Sequence, residues 1–290
     1  MTVNERVGFI GLGDMGRHLA RNMQRAAPSF AVYDIRHEAM APFEDSGAYL
    51  ASDVPDLVRH SDVVAFCVLD DAQVRDLVLG AGGLIGSLRR GQLVLMHSTV
   101  APALALGLFE SLAAQGIGFL DAPVSGGMTA REQGAVTVFA GGRPADFERA
   151  KPLLEAVGGT VGFLGPPGSG AAGKICNNLM HFCNALGLFE GLRLAAAYGI
   201  DEPAMIRLGA ASTARSWALT ELASIDQILL EHTLADDDEA LFDFFAKDLE
   251  IAVAEARHAA LPLPFADRAA ELVRDSFKKR RDSVRQIRTR

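Results

Sequence analysis

Cysteine is scarce, which removes disulfides and thiolate-metal clusters as sources of stability. The three present, Cys67, Cys176 and Cys183, are odd in number, lack metal-ligand spacing and lie in apolar runs. They are expected to be reduced core residues of a cytoplasmic protein. His18, His37, His60, His97, His181, His232 and His258 are scattered, with no H-E-x-x-H pair, so no metal site is expected. Positive charge is also short: 28 Lys and Arg against 36 Asp and Glu leave a net charge of −8, which disfavours nucleic acid and anionic membranes as partners. The local exception is Lys278 to Arg290, whose basic residues face the single acid Asp282; it is expected to be the solvated end of a C-terminal helix. The first residues are polar, so no secretory leader is expected. The most apolar stretch carries Lys, Asn and His, so no membrane span is expected either.

What the chain has is 49% apolar residues and, at 290 residues, length enough for two ordinary domains. Arg6–Ile10 (RVGFI) is a short apolar run followed by Gly11-Leu12-Gly13-Asp14-Met15-Gly16 and a helix-like RHLARNMQRA. Strand, G-x-G-x-x-G and helix in that order form a dinucleotide fingerprint. Gly11 permits the tight turn, Gly13 lets backbone approach a pyrophosphate, and Gly16 lets the helix pack on the strand. The helix start offers N–H groups and the positive end of its dipole. Phe30–Asp34 (FAVYD) reads as the second strand, with Asp34 placed 18 residues after Gly16. There a carboxylate accepts hydrogen bonds from adenosine ribose hydroxyls and repels a 2′-phosphate. Arg36 can pair with that phosphate, so NADP stays open while NAD is favoured.

Strands and helices then alternate. Asp62–Leu69 and Gln92–His97 read as buried strands, Ala72–Leu79 and Pro102–Gln115 as helices. Ligands of an open parallel sheet bind beyond the carboxyl ends of its strands. Ser98 and Thr99 are therefore expected to point towards a cofactor crevice, a place compatible with capping the helix at Pro102. Phe119 to Gly127 is a strand breaking into Ser125-Gly126-Gly127, whose N–H groups and hydroxyl suit a carboxylate. Val136–Gly142 and Thr160–Leu164 are further strands around a helix at Ala145–Val157. Gly165-Pro166-Pro167-Gly168 then punctuates the chain, and the domains are expected at 1–165 and 166–290.

Past that point strand signals fade. Gly168 to Gly199 runs without proline and reads as one long buried helix. On it Lys174, Asn177, Asn178 and His181 at i, i+3, i+4 and i+7 form one polar stripe. The stripe fits a polar cleft, or a solvated face with a snorkelling lysine. Further helices are expected at Glu202–Ala211, Ala218–Leu230, Glu239–Ala260 and Phe265–Lys279. Without other context Lys247-Asp248 is a solvated pair and Trp217 a core or interface anchor. An apolar helical domain also suggests a homodimer or homotetramer.

Four blocks, GFIGLGDMGRHLARNM (8–23), DAPVSGG (121–127), GSGAAGKICNN (168–178) and FFAKDL (244–249), with a looser HSTVAP (97–102), resemble the β-hydroxyacid dehydrogenase family in order and spacing. That family includes 3-hydroxyisobutyrate dehydrogenase, tartronate semialdehyde reductase and 6-phosphogluconate dehydrogenase, and the likeness covers nearly the whole chain. The resemblance implies an α/β fold, with an N-terminal Rossmann domain of doubly wound, mostly parallel sheet followed by an all-α C-terminal domain. It implies Lys174 as general acid/base and Asn178 orienting the substrate hydroxyl. Ser125, Gly126 and Gly127 would hold the substrate carboxylate, with Trp217 also at the substrate. Gly11, Leu12, Gly13, Asp14, Met15, Gly16, Asp34, Ile35, Arg36, Val68, Leu69, Thr99 and Lys247 would contact the cofactor, NAD or NADP. One departure is Arg131, which stands where the family has a small residue. Either it recognises a second anionic group or it is solvated; the solvated alternative is favoured.

The implied reaction passes a hydride between the nicotinamide and a small 3-hydroxy acid or its semialdehyde, as in 3-hydroxyisobutyrate dehydrogenase. A lysine suits the proton transfer if burial brings its pKa down from about 10.4 towards neutrality. Competing expectations are an NADPH-dependent reductase of tartronate or another short semialdehyde and, from a different class, a non-catalytic dinucleotide-binding protein.

Overall fold

The computed structural model describes residues 4–27, 29–231 and 238–288; His232 and Arg290 lie outside them. Strands β1 (Arg6–Ile10), β2 (Ser29–Tyr33), β3 (Tyr49–Leu50), β4 (Val63–Phe66), β5 (Leu93–Met96) and β6 (Gly118–Asp121) pair in parallel in the order β3-β2-β1-β4-β5-β6. Successive side chains go to opposite faces. Phe9, Ala65 and Leu95 enter one apolar cluster while Ile10, Phe66 and Met96 enter another. Both faces are buried, which is why these strands read as unbroken apolar runs. The strand order reverses at β1, the switch point of a doubly wound sheet. Beyond β6 the pairing changes. β8 (Val136–Gly142) runs antiparallel to β6 and to the short β7 (Val124–Ser125), and β9 (Gly158–Gly165) lies parallel to β8.

Helices α1 (Gly16–Ala26), α2 (Val54–Arg59), α3 (Asp71–Leu79), α4 (Leu84–Ser87), α5 (Pro102–Ala113), α6 (Met128–Glu132) and α7 (Pro144–Val157) belong to this part of the chain. α1 and α7 contribute to the cluster holding Phe9, and α2, α3, α4 and α5 to the one holding Ile10. The chain divides into two compact units, Met1–Lys174 and Ile175–Arg290. The long α8 (Ser169–Ala197) runs through the division. The second unit continues with α9 (Glu202–Ala210), α10 (Trp217–Thr220), α11 (Leu222–Glu231), α12 (Asp238–His258) and α13 (Pro264–Arg288). Its core gathers Phe182, Phe189, Leu229, Leu249, Val273 and Phe277. Among the described residues no helix is long and apolar enough to cross a membrane.

Several expectations are corrected here. Ala218 to Leu230 is two helices, broken at Glu221. The last helix continues to Arg288, and its basic end is solvated only in part: Lys278, Lys279 and Arg285 are exposed, while Arg280 and Arg281 are not. The Arg280 side chain is 5% exposed and forked onto Asp226 and Glu202, and Arg281 is buried beside it in sequence. Burial alone would lower the Arg280 guanidinium; the hydrogen bonds to Asp226 and Glu202 outweigh it and hold it above its ordinary value. Of the cysteines, Cys67 and Cys183 are half-buried against the apolar cores, whereas Cys176 is exposed and not a core residue. Nor is α8 buried all round: Met180 and Leu194 stand exposed in the single chain.

Candidate active site

The chain leaves β1 at Gly11 in a left-handed conformation, φ +86°. A Cβ there would stand 2.4 Å from the carbonyl oxygen of Cys67, and one on Gly16 would stand 1.9 Å from that of Gly11. Close backbone approach therefore requires glycine at both. Gly13 differs: a Cβ there would meet nothing within 4 Å, so the turn is open on that side. α1 starts behind it with Met15 as N-cap, no capping side chain and no acid in its first turn, so the helix's own side chains do not neutralise its positive end. Asp34, buried at the end of β2, accepts the Leu12 N–H at 2.7 Å and the Arg36 N–H at 2.9 Å. Its carboxylate thus ties the glycine turn to the second strand. Arg36 Nε lies 3.6 Å away, and Ile35 points outward, 83% exposed.

Asp14 and Arg131 meet in this turn. Asp14 Oδ2 accepts Arg131 at 2.6 Å and Oδ1 accepts Arg17 at 2.7 Å. Arg131 is thus not solvated, its side chain being 12% exposed. Its backbone is held as well: its N–H donates to Gly127 at 3.1 Å and its carbonyl accepts from Asn22 at 3.2 Å. His18, on α1, is kept below its ordinary value by burial and then by the charges of Arg131 and Arg17. At the ends of β4 and β5, Ser98 is buried and exchanges 2.8 Å hydrogen bonds with both the N–H and the carbonyl of Val68. Ser98 therefore braces two loops instead of lining a crevice, and α5 begins after Ala101 without a side-chain cap. Thr99 is half-buried and Leu69 exposed. His97, enclosed behind them, stacks on Phe9 and holds the Ala122 carbonyl through Nδ1 at 2.7 Å. Burial pushes its pKa down to about 4.

α8 is anchored by a residue to which the sequence assigned no role. Gly168, at φ +90°, has no side chain with which to cap the helix. Asp121, at the end of β6, does so instead, accepting the Gly168 N–H at 2.9 Å and the Ala171 N–H at 2.8 Å. Burial raises its carboxyl above the ordinary value, and the backbone donors oppose that rise. Lys174 follows on the second turn and Asn178 one turn later, both buried and on the same face of the helix. Ser125 lies in β7 opposite Thr137, and Gly126 and Gly127 lead from it into α6.

In the second unit Asn177 Nδ2 donates to Asn178 Oδ1 at 3.0 Å, and Asn178 Nδ2 donates to Asp248. Lys247 Nζ is 3.7 Å from the other oxygen of Asp248 and faces the Phe244 ring. Both members of the Lys247-Asp248 pair are largely buried, so it is not a solvated pair. Trp217 meets the edge of His181 at 5.0 Å and is 46% exposed, which excludes a core role in the chain. The structure therefore gathers the glycine turn, Asp34, Arg36 and Arg131 in the first unit, and Asn178 and Lys247 around Asp248 in the second. Asp121 and Asp248 carried no assigned role; their one signal is that each stands inside a block, DAPVSGG or FFAKDL.

Comparisons with known proteins bear on this arrangement. Residues 6–165 match the family model described as the NAD binding domain of 6-phosphogluconate dehydrogenase. Residues 168–288 match the one described as NAD-binding of NADP-dependent 3-hydroxyisobutyrate dehydrogenase. An uncharacterized oxidoreductase of Mycobacterium tuberculosis is 34% identical over 92% of this chain and 91% of its own. The NAD-dependent L-serine dehydrogenase of Pseudomonas aeruginosa is 32% identical over 93% and 91%. The crystal structure of 3-hydroxyisobutyrate dehydrogenase from Salmonella typhimurium gives a TM-score of 0.81 at 31% identity, with 92% of each chain covered.

Proposed function

The chain belongs to the β-hydroxyacid dehydrogenase family and is an NAD(P)-dependent hydroxyacid dehydrogenase; from that premise we propose that it interconverts a short 3-hydroxy acid and its semialdehyde, with Lys174 as general acid/base and NAD as preferred cofactor. The observation that carries this is the burial of Lys174 one helical turn from Asn178 on α8. That places the amine on the helix face that also carries the side chain proposed to orient the substrate hydroxyl.

The residues present fit a dinucleotide. The open side of Gly13 and the uncapped start of α1 suit a diphosphate, and the fixed carboxylate of Asp34 suits ribose hydroxyls. Leu12, the backbone of Asp14, Met15, Ile35, Arg36, Val68, Leu69, Thr99 and Lys247 complete the proposed set. The nicotinamide, when bound, supplies the hydride acceptor or donor. Lys174 takes the proton of the substrate hydroxyl in oxidation and returns it to the carbonyl oxygen in reduction. Asn178 spends one Nδ2 hydrogen on Asp248 and its Oδ1 on Asn177, which leaves a second Nδ2 hydrogen to orient the substrate oxygen. Ser125, Gly126 and Gly127 take the carboxylate, and Trp217 bounds the substrate. The exposed Arg36 side chain, near where a 2′-phosphate would be read, supports the rival assignment, an NADPH-dependent reductase of tartronate or a similar semialdehyde. A homodimer or homotetramer is supported by the apolar side chains that α8 leaves exposed.

A panel of 3-hydroxy acids and semialdehydes followed at the nicotinamide absorbance with both cofactors tests the substrate class and NAD preference. Lys174→Ala is expected to lose about 10²–10⁴-fold in turnover while the Kd for NADH stays within a few-fold. Near-normal turnover in that variant rejects Lys174 as the acid/base.

A further inference from the structure

Asp14 is the wrong charge for its position. It sits inside the glycine turn, two residues before α1, where the proposed dinucleotide diphosphate would be held, and a carboxylate there repels that anion. It is not left bare. Both oxygens are taken by guanidinium groups, Oδ1 by Arg17 and Oδ2 by Arg131. The two arginines are not equivalent. Arg17, at i+3 on the same helix, has a side chain 45% exposed, so its field is screened by solvent. Arg131 comes from a distant element, is largely buried and is held at its N–H by Gly127 and at its carbonyl by Asn22. Its Nε is buried without a hydrogen-bond partner among the described residues, so the pair with Asp14 does not exhaust the guanidinium. The trio carries a net charge of about +1 from two guanidinium groups and one carboxylate.

We infer that Arg131 is the buried counter-charge that makes Asp14 tolerable in the glycine turn, and that it thereby sets the affinity for the dinucleotide diphosphate. The inference rests on the proposed dinucleotide site and concerns a residue with no assigned part in it. Arg131 is a positioning and affinity residue, separate from the proton transfer at Lys174. It also makes the turn and the α6 segment after Ser125-Gly126-Gly127 one braced unit, because the same residue is fixed to both.

The test is NADH binding, read by protein fluorescence without substrate, for the parent chain, Arg131→Ala, Arg131→Lys, Asp14→Asn and the Asp14→Asn/Arg131→Ala double variant. Arg131→Ala should weaken NADH about tenfold or more, with the loss shrinking as salt is raised. Arg131→Lys should stay nearer the parent. The double variant should recover to within a few-fold of the parent, because the charge that needed compensation is gone. A scaffolding role would leave the double variant as weak as Arg131→Ala, and that result overturns the inference. So does parent-like binding by Arg131→Ala. A parent chain that binds neither NADH nor NADPH defeats the dinucleotide site itself, and the inference with it. Where Arg131→Ala fails to fold, Arg131→Lys against Asp14→Asn decides. Asp14→Asn should bind NADH at least as tightly as the parent, and clear weakening there overturns the inference.

Discussion

At His97 one proton separates two stabilities. Its ring is enclosed, its Nδ1 donates to Ala122, and its Nε2 is buried without a hydrogen-bond partner among the described residues, so a second ring proton has no acceptor there. Burial holds the folded pKa at about 4, against about 6.5 for an unfolded histidine. Between those values the unfolded chain binds more protons, so stability rises with pH across the window and is lost as pH falls through it. The expected loss from this residue is about 3 kcal/mol between pH 7 and pH 4. Urea unfolding at several pH values should show it, and His97→Asn should flatten the slope in that window; an unchanged slope removes His97 as its source. The sequence could place His97 at the end of a buried strand, Gln92–His97, but not its titration, because what moves its pKa is enclosure by the rest of the fold. The glycines were legible for the opposite reason, since a turn between strand and helix makes demands that can be stated from local spacing. Arg131 lay between these cases. It could be singled out as misplaced, but its partner is 117 residues away, and no local pattern carries such a pairing.

At the scale of elements, α8 owes its first turn to β6. A helix opening on Gly168 has no side chain for its leading N–H groups, and Asp121 supplies both oxygens from the strand. Glycine is needed at the junction: a Cβ on Gly170 would stand 2.2 Å from the Asp121 carbonyl oxygen. Asp121→Asn keeps one acceptor but turns an N–H group towards a backbone N–H. A buried donor left unsatisfied costs about 1–3 kcal/mol, and that loss of unfolding free energy is expected in denaturant titration. Turnover should fall with it, because Lys174 is on the next turn. Wild-type stability in Asp121→Asn would show that the cap contributes nothing. The longer helices were legible from their composition and periodicity, and β1 and β8, read as strands, to the residue. The short ones were not. The 3-10 segment His37–Ser46, α2, α4 and α6 are too brief for a period to accumulate, and Pro42 interrupts the first of them. The break at Glu221 likewise leaves no Pro or Gly behind it.

At the scale of the molecule, the second unit takes its core from one side of α8 only. Phe182, Ala185, Leu186, Phe189 and Leu192 face inward, while Met180 and Leu194 stand exposed on the helix, with Gly187 and Gly191 exposed between them and Tyr198 exposed just past its end. The spacing of seven, four and three residues from Met180 through Gly187 and Gly191 to Leu194 keeps them on one face. The glycines leave no side chain to hold another helix away, since a Cβ on either would meet nothing within 4 Å. An exposed apolar stripe of this kind is costly in water and is commonly covered by a second subunit. Sedimentation at micromolar concentration is therefore expected to give a multiple of the chain mass. Leu194→Glu should shift that mass downwards, and because Leu194 is exposed in the single chain, a surface substitution there should cost the fold no more than about 0.5 kcal/mol. The two readouts separate the causes. Loss of association with retained helical circular dichroism assigns the stripe to an interface, whereas a monomeric parent chain leaves α8 to be stable with that face in water and removes the homo-oligomer from the proposal.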